Sequence, residues 1–168
     1  MTRSLKWMFT AVVFAAACQP GQGSALGGRP RYVEPTEQNR PAFRRASIVV
    51  ETPAGDVPLA VEVAEDDTQR GYGLMFKKAL GDGEGMIFLF DETREHIFWM
   101  KNTFIPLDMV FVDDHRRVAG VYENAEPFSL RRMTVEKPSR YVLEVNAGWC
   151  REHGVAPGTQ LRFNGVEK

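Results

Sequence analysis

The stretch SIVVETPAGDVPLAVEVA, residues 47–64, decides how the rest of the chain is read. Two runs rich in β-branched residues, 47–52 and 57–64, flank the turn residues Pro53-Ala54-Gly55-Asp56. In the second run Val57, Leu59, Val61 and Val63 fall on one face. A period of two, broken by Pro and Gly, signals two strands around a turn, with one buried face. Toward the C-terminus the pattern recurs at 86–90, 96–101, 107–113, 118–123, 140–146 and 160–163. In the fifth of these, Tyr141, Leu143 and Val145 face one way and Val142 and Glu144 the other. Helix is scarce. Asp66 or Asp67 caps a short turn of helix over 68–75, kept short by Gly71 and Gly73, and 147–153 gives one or two turns stopped by Gly154. Seven or eight short strands with one or two short helices predict one mainly β domain over 46–168, a sandwich or barrel. A domain of that length buries a core without needing disulfides.

Toward the N-terminus the composition changes. Arg3 and Lys6 precede an uncharged apolar run over 7–17, which ends in Ala15-Ala16-Ala17 and meets Cys18. Eleven apolar residues are too few for a bilayer core of about 30 Å, which takes roughly 20, but they suit a cleaved export signal. Small residues directly before a cysteine are similar to a bacterial lipobox, although Ala15 stands where Leu is usual. The expectation is a signal peptide over 1–17, a membrane anchor through lipid on Cys18, and a location in the bacterial envelope. The alternative is ordinary cleavage that leaves Cys18 bare. Residues 19–45 hold four Gly, four Pro and five Arg with no apolar period, so 18–45 reads as a flexible tether. The first 45 residues carry a net +5 and the remainder a net −6. A chain of net charge −1 gives no basis for a nucleic-acid partner.

Familiar catalytic signatures are absent: there is no Gly-x-Ser-x-Gly, no phosphate loop, no His-Glu-x-x-His and no Cys-x-x-Cys. Gly81 to Gly85 is too short for an EF-hand calcium loop and reads as a turn. Cys150, beside Trp149, reads as a small buried hydrophobe; a disulfide to Cys18 would need the tether to fold back. Polar groups inside apolar patterns say more. Arg70, Lys101, Asn102, Asp108 and Glu144 each interrupt such a pattern, and Trp99 precedes two of them closely. Scattered charges in a sandwich interior would each cost kilocalories, so at least three of the five are expected within bonding reach of one another. They would form either an internal ion-pair network or a polar pocket walled by Trp99.

Arg70-x-x-Gly73-Leu74-Met75, Gly85-Met86-Ile87-Phe88, Phe98-Trp99-Met100-Lys101-Asn102-Thr103, Ile105-Pro106-Leu107-Asp108 and Ala147-Gly148 together resemble domain-of-unknown-function family 192. The resemblance spans about 48–163. It implies a mainly β fold with short helical elements, often behind an export signal, and implies no activity. Gln69 and Lys77 depart from that pattern, and Cys150 is outside it.

Three readings follow. The first is a non-enzymatic envelope module binding a small or polymeric ligand, or a partner protein, through Arg70, Trp99, Lys101, Asn102, Asp108 and Glu144, with no cofactor. The second is a small enzyme with Asp108 and Glu144 as acid and base, and Lys101 and Asn102 steadying an anion. The third is a periplasmic copper protein using Met86, His96, Met100, Met109 and Cys150. The spacing of those donors equally fits core packing, and no metal site is expected.

Overall fold

In the computed structural model residues 33–167 are described, and the folded unit begins at Glu34. The expected signal segment, Cys18 and the first part of the expected tether lie outside the described residues. The remainder of the tether is packed on the domain: Glu37–Asn39 is a 3-10 turn, and β1 (Arg44–Thr52) starts inside the expected spacer. Lys101 pairs with Glu34, and the Tyr72 hydroxyl donates to the Thr36 carbonyl at 3.0 Å.

The hairpin read from 47–64 is β1 against β2 (Gly55–Ala64), antiparallel, with Ile48 opposite Leu59. After it come α1 (Asp67–Tyr72), β3 (Glu84–Arg94), β4 (Leu107–Val112), β5 (Val118–Ala125), β6 (Ser139–Asn146), α2 (Trp149–His153) and β7 (Gln160–Asn164). The seven strands form one sheet in the order β5-β4-β6-β3-β2-β1-β7, so the fold is mainly β, a curled half-barrel with two short helices. Its two edges approach at one end, where Val118 N–H donates to Thr159 O and Leu161 N–H to Arg116 O, both at 2.9 Å. Curling in this way reduces the open edge that a flat sheet would expose.

Each face of the sheet carries a core. The inner one gathers residues from all seven strands, among them Ile48, Val61, Ile87, Val110, Leu143 and Leu161, and is closed by Trp149 and Cys150 of α2. The outer face bears Met86, Phe88, Met109, Phe111 and Val142 and is covered by Leu74, Met100 and Met133. With both faces covered, every residue of β4 is buried.

The segment 96–101 differs from expectation. Its side chains do alternate, with His96 and Met100 buried and Ile97 and Trp99 exposed. Yet it is no strand of the sheet: its one ladder contact is an isolated bridge between Phe98 and Met133. The chain then turns at Lys101-Asn102, where Asn102 takes φ 56°, a left-handed conformation that Asn tolerates better than most side chains. The helix expected over 68–75 also ends early. Asp66 caps it, accepting the Gln69 N–H at 2.8 Å, and Gly73 stops it at φ 52°.

Candidate functional site

Asp108 and Glu144 fix the chemistry that the sheet can perform. In the antiparallel pairing of β4 and β6, Met109 lies opposite Glu144 and Asp108 opposite Val145. Directly opposed residues point to the same face, so Asp108 points into the inner core and Glu144 away from it. The two carboxyls cannot share a substrate atom, and they form no acid–base pair.

Asp108 is 0% exposed and bonded to backbone. The pairing of β4 with β5 slips between Leu107 and Met109, so an extra residue of β5 leaves the ladder there. Asp108 compensates by accepting the Asn124 N–H at 2.9 Å, and its second oxygen accepts the Cys150 N–H at 3.0 Å. It ties β4 to β5 and to α2. Burial, and then the Asp108 carboxylate beside it, push the Cys150 thiol far above its ordinary value, so this cysteine is no nucleophile.

Arg70 is a clamp. One guanidinium nitrogen donates to the carbonyls of Glu65 at 2.9 Å and Leu89 at 2.8 Å, and the other to Asp67 at 2.6 Å. It joins the N-terminal end of α1 to β3. Asn102 has a related task, since its carbonyl accepts the Phe76 N–H at 2.9 Å and holds the chain leaving α1 against the turn. Among the described residues, then, Arg70, Asn102 and Asp108 make their hydrogen bonds outside the five-residue group, and Lys101 pairs with Glu34. The expected network is absent.

Glu144 is the exception. It is 4% exposed, and its carboxyl has no hydrogen bond and no ion pair among the described residues. Burial pushes that carboxyl up from 4.5 to about 8, so it holds its proton at pH 7. It lies on a cavity of about 330 Å³ between α1 and the segment 94–103. Tyr72, Phe88, Phe98 and Trp99 also line this cavity, with Arg70, Arg94 and His96 as its basic members. His96 is 3% exposed, stacks on Phe90 at 3.6 Å, and leaves its Nε2 without a partner. Burial, followed by nearby Arg94, holds this imidazole below its ordinary value, although hydrogen bonding to the backbone of Glu92 and Ser139 opposes the shift. Trp99 is 59% exposed and stands at the mouth with Ile97 and Arg94. A larger hollow of about 450 Å³ beside β5 has no unpartnered buried polar atom on its wall.

Of the residues nominated from sequence, the cavity brings together Arg70, Trp99 and Glu144, and not Lys101, Asn102 or Asp108. Arg94 was missed as a site residue, and His96 was read only as a metal donor. The alternation that places His96, Phe98 and Met100 on one face of an extended run was the available signal. Of the soft donors, Met86, Met100 and Met109 are packed in the outer core and Cys150 in the inner one. No three His, Cys, Asp or Glu among the described residues converge as a metal site would require.

The family of uncharacterised ACR proteins named domain of unknown function 192, DUF192, matches residues 48–163. The chain belongs to this family. Among solved structures it is similar to a Sinorhizobium meliloti protein described as a candidate transcription regulator, with 38% identity and a TM-score of 0.71 over 73% of this chain and 96% of that one. A Novosphingobium aromaticivorans protein of unknown function is 33% identical with a TM-score of 0.70, over 85% of this chain and 99% of its own. No curated protein matches the chain. The DUF192 motifs now have physical roles. Arg70 clamps α1, Gly73 lets the chain pass the Phe88 ring, where an added Cβ would sit at 3.2 Å, and Asp108 braces the β4–β5 irregularity.

Proposed function

We propose that this DUF192 protein is a non-enzymatic binding module of the cell envelope, which holds a small ligand in the cavity behind Trp99. The observation that carries the reading is Glu144, a buried carboxyl without a partner on the wall of that cavity. A buried, unpaired acid costs stability and serves no purpose in packing. Such a group is retained where a ligand completes its bonding. The acid–base alternative loses its pair to the register of β4 and β6, and Cys150 offers no nucleophile. The description of the Sinorhizobium meliloti relative is of a transcription regulator, but in this chain the domain's net charge of −6 over 46–168 would give nucleic-acid phosphates little attraction. Export and lipid anchoring rest on Arg3, Lys6, the apolar run 7–17 and Cys18. No helix among the described residues is long and apolar enough to cross a membrane.

A thermal-shift panel of amino acids, amines, glycans, nucleotides and peptides on the full chain tests the binding claim. A true ligand raises the melting temperature with the logarithm of its concentration, and Trp99→Ala or Glu144→Gln blunts that response. A panel without a single saturable response sensitive to either change would defeat the reading.

A further inference from the structure

The binding reading leaves the chemistry of the ligand open, and the cavity wall narrows it. Its depth and its mouth differ in kind. Deep inside are Glu144, His96 and the rings of Tyr72 and Phe88, all buried; Phe98 is half-buried, and at the mouth are the exposed Arg94 and Trp99. A ligand that needed only hydrogen bonds from the deep end would be served as well by glutamine, whose amide never ionises. What a carboxyl adds is charge, and a buried negative charge is stable only against a cation. The protein's own cations do not supply it. Arg70 is held by Asp67 and two carbonyls, and no ion pair joins Glu144 to any described residue. Aromatic side chains on the wall, Tyr72, Phe88 and Phe98 with Trp99 at the mouth, suit a cation too. Arg94, by contrast, spends only a long 3.4 Å contact on the Glu95 carbonyl and is open to an anion at the entrance.

Building on the binding reading, we propose that the cavity takes a zwitterionic amine of amino-acid size, its ammonium group against Glu144 and its carboxylate toward Arg94. Leu74, Met75 and Phe98 supply an apolar wall for a side chain. A cavity of about 330 Å³ is at the small end of the range for ligand sites, about 300–1,000 Å³. Binding has a proton consequence. The titratable and charged groups on the cavity are Arg70 from α1, Tyr72 at its end, Arg94 closing β3, His96 beyond it and Glu144 itself; the strand neighbours of Glu144, Met86 and Met109, are apolar. At pH 7 the empty site keeps the Glu144 proton. An arriving ammonium favours the carboxylate, so the proton leaves to buffer and the ion pair forms.

The test is calorimetric titration of the full chain with the common amino acids at pH 7. The best of them is then compared with its decarboxylated amine and its deaminated acid. The amino acid should bind tightest, the amine less well and the acid least. Repeating the titration in buffers of different ionisation enthalpy should show release of up to one proton. Glu144→Gln should weaken the amino acid about 30-fold or more, abolish the release, and leave the deaminated acid unaffected. Equal binding by the deaminated acid, or amino-acid binding indifferent to Glu144→Gln, overturns the proposal. If no amino acid or amine binds while a glycan or nucleotide does so in a Trp99-dependent way, the ligand class falls and the binding module stands. If nothing binds at all, both fall.

Discussion

Glu144→Gln should make the protein more stable at neutral pH and remove most of the pH dependence that this residue imposes. In the unfolded chain the carboxyl titrates near 4.5, and in the folded protein burial raises it to about 8. Between those values the folded state holds a proton that the unfolded state has lost. Folding stability therefore falls as pH rises across the window, by about 1.4 kcal/mol per pH unit, is undiminished below the lower value, and levels off above the upper one. At pH 7 the accumulated cost is about 3 kcal/mol. The side chain is almost wholly buried, so solvent screening takes little from that figure. Glutamine has the same number of heavy atoms and cannot ionise, so the variant avoids the cost. Urea unfolding at pH 5, 6, 7 and 8 measures it. Wild type and variant should converge near pH 5 and separate progressively above it. The melting temperature of the variant at pH 7 should be about 10 °C higher, given the entropy of unfolding a domain of this size. Parallel pH profiles for the two proteins would refute the reasoning, because they would show that Glu144 ionises alike in the folded and unfolded states.

The other residues give sharper structural tests. Arg70→Lys keeps the charge but cannot span two carbonyls and a carboxylate at once, so it should cost about 2 kcal/mol in urea unfolding. Asp108→Asn presents one acceptor where two backbone amides need two, and its own N–H₂ would face a donor; a loss of about 2–4 kcal/mol is expected, with no gain or loss of ligand response. Trp99→Ala, at an exposed position, should move the melting temperature by no more than a degree or two while weakening any ligand that raises it. Labelled palmitate should enter the wild type and not Cys18→Ser; equal labelling, or a wild type recovered soluble from the periplasm, would remove the anchor from the proposal.

Much of the sheet was legible because alternation is a local property. Val57, Leu59, Val61 and Val63 declare one face without reference to any other strand, and β1, β2 and β4 to β7 fall within a few residues of where the pattern puts them. The segment 96–101 shows the limit of that logic. Its alternation correctly separates buried His96 and Met100 from exposed Ile97 and Trp99, but pairing depends on what runs alongside, and here that is only the short stretch from Ser129 to Met133, which bonds Met100 and Phe98 without forming a strand. The tether was misjudged at its end for a similar reason. Residues 34–43 have no core of their own, and they are held by distant partners: Tyr72, Lys101 and the Gln69 amide, which donates to the Ala42 carbonyl at 2.8 Å.

The polar residues divide by a property that sequence does not carry. Asp108 and Glu144 look alike, each a carboxyl inside an apolar strand, and one slip in the register between β4 and β6 would put them on the same face. With Met109 opposite Glu144, one carboxyl turns inward to two waiting backbone amides and the other outward to a cavity with none. The same division runs through the family motifs. Arg70, Asn102 and Asp108 are occupied by backbone groups that would otherwise be buried unpaired, and Gly73 yields to the Phe88 ring. Arg70, Gly73 and Asn102 hold α1 against β3 and the 94–103 segment, while Asp108 braces β4, β5 and α2 on the other face. On the cavity side Glu144 makes no hydrogen bond or ion pair to a described residue, and the Nε2 of His96 is buried without a partner. In the binding reading proposed above, a ligand entering past Trp99 completes their bonding, and the surrounding bonds fix in advance the positions of the groups that would meet it.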